Sequence, residues 1–206
     1  MTRDKRREIL HNLHGGHQGI VKCRARARQS VWWPGLSVQI SQMVGNCSAC
    51  SQHRAEQREL LLTTPVQDRP WKRVGSDLFF WENETYLLVV DYFSRYIEVA
   101  RLKVASAVTV VAALKDVIGR HGTPKTVVSD DGPQYSCSLF ESFAMEYGFT
   151  RVTSSPRYPQ ANGEVERAVA TVKGLWKGGG DKAKALQTYR ATPLEIGYSP
   201  VQLLPR

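Results

Sequence analysis

The chain has 206 residues, a formal net charge of +9 and an apolar share of 42%. This length suits one ordinary domain, or one domain with a small satellite, and the composition excludes a disordered chain. No run approaches the roughly 18–20 apolar residues of a membrane-spanning helix, and the N-terminus lacks a signal-peptide pattern. The excess of positive charge favours a polyanionic partner, with nucleic acid ahead of an anionic membrane surface.

The distribution of residue types predicts three zones. Residues 1–55 have a helical pattern, are rich in Arg and Lys, and contain most of the His and Cys residues. Residues 56–72 contain two prolines and show no clear period, which is typical of a linker. Residues 73–206 alternate strand and helix patterns, which indicates a larger α/β domain.

The larger domain is predicted to contain five strands and several helices. Strands are expected at 74–81, 85–93, 96–102, 125–132 and 150–155. Helices are expected at 106–122, at 138–148, after Asn162, and around 181–193. Three strands in a meander followed by alternating helices and strands predict a mixed five-stranded sheet flanked by helices.

A group of His and Cys residues near the N-terminus predicts a zinc site. Cys47 and Cys50 have the two-residue gap that lets two thiolates reach one tetrahedral Zn²⁺, and two imidazoles would complete the set. His17 is one expected ligand and His14 the other, with His11 as the alternative to His14. The apolar content of this zone is small, so metal binding would supply much of its folding free energy. A chance His cluster beside a surface thiol pair is the competing interpretation.

The use of cysteine also bears on the compartment. Four cysteines, two of them in a Cys-x-x-Cys, favour a metal site in a reducing compartment over a disulfide framework. Cys23 and Cys137 are expected to be buried thiols. An intracellular location follows, and the nucleus is the expected compartment.

Acidic residues occur at unexpected places for so basic a chain. Asp77 lies inside an apolar strand, and Asp130 and Asp131 end another. Buried strand carboxylates are costly unless something binds them. Glu164 and Glu166 lie near the start of the helix after Asn162. Carboxylates from two strand ends and a helix can converge on a hard cation such as Mg²⁺.

Over nearly its whole length the chain resembles the integrases of retroviruses and of gypsy-type LTR retrotransposons. Between Asp130 and Glu166 lie 35 residues, the spacing of the second acid and the glutamate in that family's signature. The segments that carry the resemblance are LHGGHQGIVK, VWWPGL, CSAC, RPWKRVGSDLF, YLLVVDYFSRYIEV, HGTPKTVVSDDGPQY, SSPRYPQANGEVERAV and YRATPLEIGYSP.

The resemblance implies an RNase H-like catalytic core preceded by the small helical zinc-binding module. Asp77, Asp130 and Glu166 would be the catalytic residues and would hold Mg²⁺ or Mn²⁺. Glu164 has no such role, and with Asn162 as N-cap it would lie in the first helical turn, where an acid suits the positive helix end. Relatives commonly have Asn or Gly where this chain has Asp131, which could perturb the metal site or face away from it.

The implied activity is processing of the 3′ ends of retroelement DNA and their transfer into target DNA. Integrases of this kind act as multimers, so a homo-oligomer is expected, with no membrane partner. The candidate DNA contacts lie in the loop before the last long helix and along that helix: Tyr158, Gln160, Asn162, Arg167, Lys173 and Lys177.

The alternative function is a catalytically inactive or host-adopted integrase fragment that binds DNA or protein. The chain begins with its own Met and ends at SPVQLLPR, where relatives continue into a further C-terminal domain. Retention of all three acids and of a full zinc set favours the enzyme.

Overall fold

A computed structural model describes residues 2–52, 68–154 and 159–204, with only the backbone of residues 3, 51, 52 and 159–162. In these ranges no helix combines the length and apolar character that crossing a bilayer requires. The helices are α1 (Arg3–His14), α2 (Gly19–Ser30), α3 (Leu36–Gly45), α4 (Ser48–Gln52), α5 (Ala107–His121), α6 (Ser138–Tyr147), α7 (Pro159–Lys177), α8 (Lys182–Arg190) and α9 (Pro200–Leu203).

The predicted five-stranded sheet is confirmed. Its strands are β1 (Arg73–Trp81), β2 (Glu84–Asp91), β3 (Ile97–Leu102), β4 (Thr126–Ser129) and β5 (Thr150–Thr153). The strand order is β3-β2-β1-β4-β5. Strand β2 pairs antiparallel with both β1 and β3, whereas β4 pairs parallel with both β1 and β5. The sheet is therefore mixed, because the hairpins allow antiparallel neighbours whereas the helical crossovers return the chain parallel.

One face of the sheet packs against α5 and α6. Successive strand residues point to opposite faces, so Val74 and Leu87 share this face and join the main hydrophobic core. From α5 the core takes a stripe of buried residues at helical spacing, which includes Val110, Leu114 and Val117. Helix α5 starts at a capping box between Ser106 and Thr109, in which each side chain bonds the backbone N–H of the other residue.

The opposite face receives α7 at a glycine in the middle of β1. A Cβ on Gly75 would lie 2.2 Å from Val165 Cγ2 and 3.0 Å from Tyr92 Cε2. Only a residue without a side chain lets the helix approach the strand so closely. Val165 is itself fully buried, so α7 lies against β1 at this point.

A buried aspartate organises the turn between β2 and β3. Asp91 is fully buried, and its carboxylate accepts hydrogen bonds from the Trp71 backbone N–H (3.0 Å) and from the Ser94 backbone N–H (2.9 Å) and hydroxyl (2.6 Å). These bonds satisfy a buried charge that would otherwise be costly. They also fix the turn that carries Arg95, which has the left-handed backbone conformation (φ 60°).

The N-terminal helices enclose a small core of their own. It contains Leu13, Cys23, Ala27, Trp33, Leu36, Ile40 and Val44. By contrast, the apolar side chains of Val21 and Trp32 are 80% and 81% exposed. Val21 lies on α2 away from its buried residues Cys23 and Ala27, and Trp32 lies between α2 and α3.

The chain divides into two compact units, residues 1–60 with 171–202 and residues 61–170 with 203–206. The predicted domain division (1–55, 56–72 and 73–206) instead assigns the C-terminal helices to the core. Within the first unit, the Gln18 amide donates a hydrogen bond to the Thr192 hydroxyl (3.3 Å). A Cβ on Gly16 would lie 3.0 Å from Thr188 Cγ2. These contacts explain why helix α8 is grouped with the N-terminal helices.

The start of α7 differs from the expectation. The helix begins at Pro159, so Asn162 is inside it and is not its N-cap. Proline is well suited to the first helical position, because its fixed φ is helical and its missing N–H would have had no partner there. Glu164 therefore lies beyond the first turn, where the positive helix end has little effect on it.

The close approach at Gly75 can be tested by a matched pair of glycine substitutions. Gly75→Ala should lower the free energy of unfolding by about 1–3 kcal/mol, because the added methyl group overlaps Val165. Gly174→Ala, at an exposed position in α7 where an added Cβ meets nothing within 4 Å, should raise it by up to about 1 kcal/mol. Urea denaturation followed by circular dichroism measures both. Equal stability of the two variants would contradict this account of the helix–strand contact.

Candidate functional site: a His/Cys cluster and an acidic strand edge

The four predicted zinc ligands come together. Ligand atoms of His14, His17, Cys47 and Cys50 all lie within 4.8 Å of one another. His17 Nδ1 lies 3.3 Å from Cys47 Sγ and 3.6 Å from Cys50 Sγ, and His14 Nε2 lies 3.6 Å from Cys50 Sγ. With Zn–N near 2.05 Å and Zn–S near 2.3 Å, the N···S edge of a tetrahedral site is about 3.6 Å. The donor set therefore fits Zn²⁺ in both chemistry and spacing.

Short structural elements position these ligands. His14 is the last residue of α1, and His17 follows in the left-handed conformation (φ 50°), with its N–H bonded to the His14 carbonyl at 2.8 Å. Cys50 lies in α4, and Cys47 lies just before that helix. A Cβ on Gly178 would lie 2.4 Å from His17 Cδ2, so the glycine leaves room for the imidazole ring.

The surroundings of the cluster keep both imidazoles in the metal-binding form. Burial lowers the pKa of His14, and the neighbouring His17 and His11 lower it further. Burial also lowers the pKa of His17, with a further contribution from His11. Neutral imidazole is the form that binds a metal. His11 itself is exposed and lies outside the cluster, so the geometry selects His14 over His11.

The two remaining cysteines behave as thiols rather than ligands. Cys23 is buried, its Sγ lies 3.9 Å from His14 Nδ1, and burial raises the pKa of its thiol to about 11. It therefore contacts the ring nitrogen of His14 that faces away from the cluster. Cys137 is only half-buried, less than expected, and packs against the main core.

Strands β1 and β4 bring two of the predicted catalytic acids to one sheet edge. Their parallel register pairs Gly75 with Val128, and its continuation sets Asp77 opposite Asp130. Neighbouring strands lie about 4.8 Å apart, and residues opposite each other in parallel strands share a face. Asp77 also shares its face with Gly75, on which α7 packs.

A buried tyrosine lies beside these two acids. The Tyr135 hydroxyl is 2.8 Å from the Ser76 hydroxyl, and the tyrosine side chain is almost fully buried. Burial is the main cause that raises the pKa of Tyr135, and the negative charges of Asp77 and Asp130 raise it further. Both carboxylates therefore act on the same phenol, which stays protonated.

Asp131 is turned towards β5. Its carboxylate accepts from the Arg151 guanidinium at 3.1 Å and is 76% exposed. The same guanidinium donates to the Asp130 backbone carbonyl (3.1 Å) and to the Ser129 hydroxyl (3.3 Å). Of the two outcomes considered from sequence, Asp131 therefore takes the second and pairs with a neighbouring cation, and Arg151 ties down the end of β4.

The two glutamates of α7 have opposite environments. Glu164 is 4% exposed and forms ion pairs with Arg95 and with Arg167, the latter at 3.0 Å. Glu166 is exposed. The expectation that Glu164 merely suits a helix end is wrong, because its carboxylate is buried and balanced by two guanidinium groups. Val165 between them fixes the turn on β1, so Glu166 extends from the helix turn that contacts the same face as Asp77.

The three acids do not form a second ion-sized group. In the part of the chain that the structure describes, the His/Cys cluster is the group with ligand atoms close enough to share one metal. Asp77 and Asp130 share a strand edge and Glu166 extends from the helix packed on that face, but their convergence on metal stays a prediction. Three like charges repel one another unless a cation lies between them.

The predicted DNA contacts are placed only in part. Tyr158 lies outside the described residues, and Gln160 and Asn162 lie in the first turns of α7, where only the backbone is described. Arg167 is half-exposed and pairs with Glu164. Farther along α7, Lys173 is half-buried and Lys177 exposed.

Sequence reasoning missed several residues that shape this site: Gly75, Arg95, Tyr135, Arg151 and Gly178. A glycine inside a strand is a signal of close backbone approach, and it could have identified Gly75. The partners of Arg95 and Arg151 are distant in the sequence, so no local pattern indicates them.

Comparison with known families gives two matches. Residues 1–56 match the integrase zinc binding domain, and residues 68–159 match the integrase core domain. The chain is 38% identical over 195 residues to the uncharacterized protein K02A2.6 of Caenorhabditis elegans, covering 90% of this chain and 15% of that protein. It is 27% identical over 229 residues to the Gag-Pol polyprotein of gibbon ape leukemia virus, covering 99% of this chain and 13% of the polyprotein.

Among solved structures, the integrase catalytic core domain of HTLV-2, in complex with magnesium and in a trimeric form, superposes with a TM-score of 0.55. The identity is 20%, and the match covers 66% of this chain and 98% of that domain. At this identity the likeness shows a shared fold. With both family matches and relatives along almost its whole length, the chain belongs to the integrases of retroviruses and retrotransposons, with a zinc-binding domain followed by an integrase core.

Proposed function

We propose that the chain acts on DNA as a metal-dependent polynucleotidyl transferase that processes retroelement ends and joins them to target DNA. The observation that carries the proposal is the parallel register of β1 and β4, with Gly75 opposite Val128; continued by two residues, this register would set Asp77 opposite Asp130 on the face where α7 packs. The match of residues 68–159 to the integrase core supports it. The chain spans only 13–15% of the length of these curated relatives, so the activity of those longer proteins is assigned to this chain only as part of the proposal.

The residues at this edge fit hard divalent cations. Asp77, Asp130 and Glu166 offer only carboxylate oxygens, the ligands that Mg²⁺ and Mn²⁺ prefer. Magnesium is present in the similar HTLV-2 integrase core. When bound, such ions would supply Lewis acidity for attack on a DNA phosphodiester by water or by a 3′-hydroxyl.

The chain's own residues orient these ligands. The Asp77 carboxylate accepts from the Leu78 backbone N–H (2.7 Å), and the Asp130 carboxylate accepts from the Gly132 backbone N–H (3.1 Å). Both bonds hold the carboxylates in fixed orientations. A Cβ on Gly132 would lie 3.0 Å from Asp130 Oδ1, so the glycine leaves space beside the carboxylate.

The DNA itself would be held by the basic groups of α7 and of the loop before it. In the proposal Arg167, Lys173 and Lys177 contact phosphates, together with Tyr158, Gln160 and Asn162. Cations in this role release counterions from DNA, so binding would weaken steeply as salt rises. A homo-oligomer, for which the trimeric HTLV-2 core is a precedent, and a nuclear location are part of the same proposal.

The rival function is binding of DNA or protein without strand joining. The observation that favours it is the net charge of +9, which suits binding of a polyanion whether or not strands are joined. The two proposals differ in a single measurable property, the metal-dependent joining of DNA ends.

A pair of neighbouring acids tests the catalytic assignment. Asp130→Asn should lower the joining of an oligonucleotide 3′-end into plasmid DNA by at least about a hundredfold with Mg²⁺ or Mn²⁺. Asp131→Asn removes the same charge one residue away, at a carboxylate turned towards Arg151, and should lower it far less. Glu166→Gln should behave as Asp130→Asn does. If wild type and Asp130→Asn give equal product, the function is DNA or protein binding.

The zinc site is tested by a matched pair of histidine substitutions. His14→Gln should reduce zinc in the purified protein from about one ion per chain to well below that, because only three ligands remain. His11→Gln should retain zinc, since His11 lies outside the cluster. Metal content by mass spectrometry and helical content by circular dichroism should fall together, because binding of a structural zinc is coupled to folding. Full zinc in His14→Gln would assign the fourth ligand elsewhere.

A further inference from the structure

Within the second unit, Glu164 of α7 forms a buried ion pair with Arg95. Glu164 is 4% exposed and Arg95 32% exposed, whereas Arg167, the second partner of Glu164, is half-exposed. A carboxylate taken out of water is retained only if it is well paired. Arg95 comes from the turn between β2 and β3, so the pair joins α7 to the sheet.

The anchor on the sheet side is rigid. Asp91, itself fully buried, accepts three hydrogen bonds and holds the turn that follows β2. The Arg95 N–H donates to the Asp91 carbonyl at 2.9 Å, and Arg95 has a left-handed backbone. The backbone that carries the Arg95 guanidinium is therefore held in place, and the ion pair constrains the position of the Glu164 carboxylate.

The helix side of the pair is next to the predicted catalytic glutamate. Glu164 and Glu166 flank Val165, which packs into the space above Gly75. One turn of α7 is thus held by an apolar contact and by a buried ion pair. The apolar contact fixes the distance from the strand, whereas the ion pair is directional and fixes the rotation of the helix about its axis. Rotation determines where Glu166 points.

We propose that Arg95 and Glu164 are positioning residues, which hold the turn of α7 so that Glu166 faces the edge carrying Asp77 and Asp130. This inference rests on the proposed function for its catalytic consequence, but not for its structural part. Glu164 does not touch substrate or metal in this scheme, and it acts through Glu166. A role in stability alone is the competing explanation.

The test combines hydrogen exchange with kinetics on the full chain. The variants are Glu164→Gln, Arg95→Gln and the double variant, in which neither member of the buried Arg95–Glu164 pair carries a charge. Glu146→Gln is the matched control, because it neutralises a glutamate in an exposed pair with Lys115 at 3.3 Å. Exchange is measured without DNA or added Mg²⁺, at a temperature where circular dichroism shows all variants folded.

Each single variant should speed exchange of the amides around Glu164 and Glu166 by at least about tenfold, while the double variant recovers much of the protection. The control should exchange as wild type does. In joining assays each single variant should lower kcat by about ten- to a hundredfold with little change in KM for DNA, since a displaced ligand impairs the chemical step. The double variant should again recover part of the loss.

Two outcomes would overturn the inference. One is exchange in α7 that stays at the wild-type rate in both single variants. The other is faster exchange with an unchanged kcat, which would leave the pair a role in stability alone. If wild type joins no DNA, the proposed function fails, and the exchange measurement by itself decides whether the pair fixes the helix turn.

Discussion

The close approach of α7 to β1 at Gly75 is the contact on which the geometry of the acidic edge depends. Because Gly75 lacks a side chain, Val165 comes against the strand two residues before Asp77. The parallel register of β1 and β4, continued by two residues, sets Asp130, just after β4, opposite Asp77. A larger residue at position 75 would lift the helix from the sheet and move Glu166 away from both aspartates. The acidic edge is therefore a property of packing as much as of its carboxylates.

The two candidate metal sites differ in how far the protein forms them by itself. In the His/Cys cluster, burial lowers the pKa of His14 and of His17, so repulsion between imidazolium charges does not oppose the approach of the two rings. The observed N···S distances of 3.3–3.6 Å already correspond to a tetrahedral ion. The acids at the strand edge carry like charges, and their mutual repulsion is relieved only by a cation. These electrostatic differences explain why the His/Cys ligand atoms lie close enough to share one ion, whereas the three carboxylates lie farther apart.

Several elements could be predicted from the sequence because their signals are local. Helix α5 has an apolar stripe and a terminal glycine, and these signals predict the helix to within one residue at each end. The meander of three strands followed by alternating helices and strands was likewise sufficient to predict a mixed five-stranded sheet. The predicted start of α7 is wrong. Asn162 is a residue type that strongly favours the N-cap, but the helix begins three residues earlier, with Pro159 at its first position.

By itself, the sequence determined the residue types, their spacing and the elements that carry them: the Cys-x-x-Cys, the three histidines before it, and acids at two strands and a helix. Only the tertiary structure decided between His14 and His11, turned Asp131 towards Arg151, and buried Glu164 against Arg95. Each of those outcomes depends on a partner far along the chain. Local preferences follow from neighbours in sequence, whereas the environment of a charge is set by whatever the completed fold brings beside it.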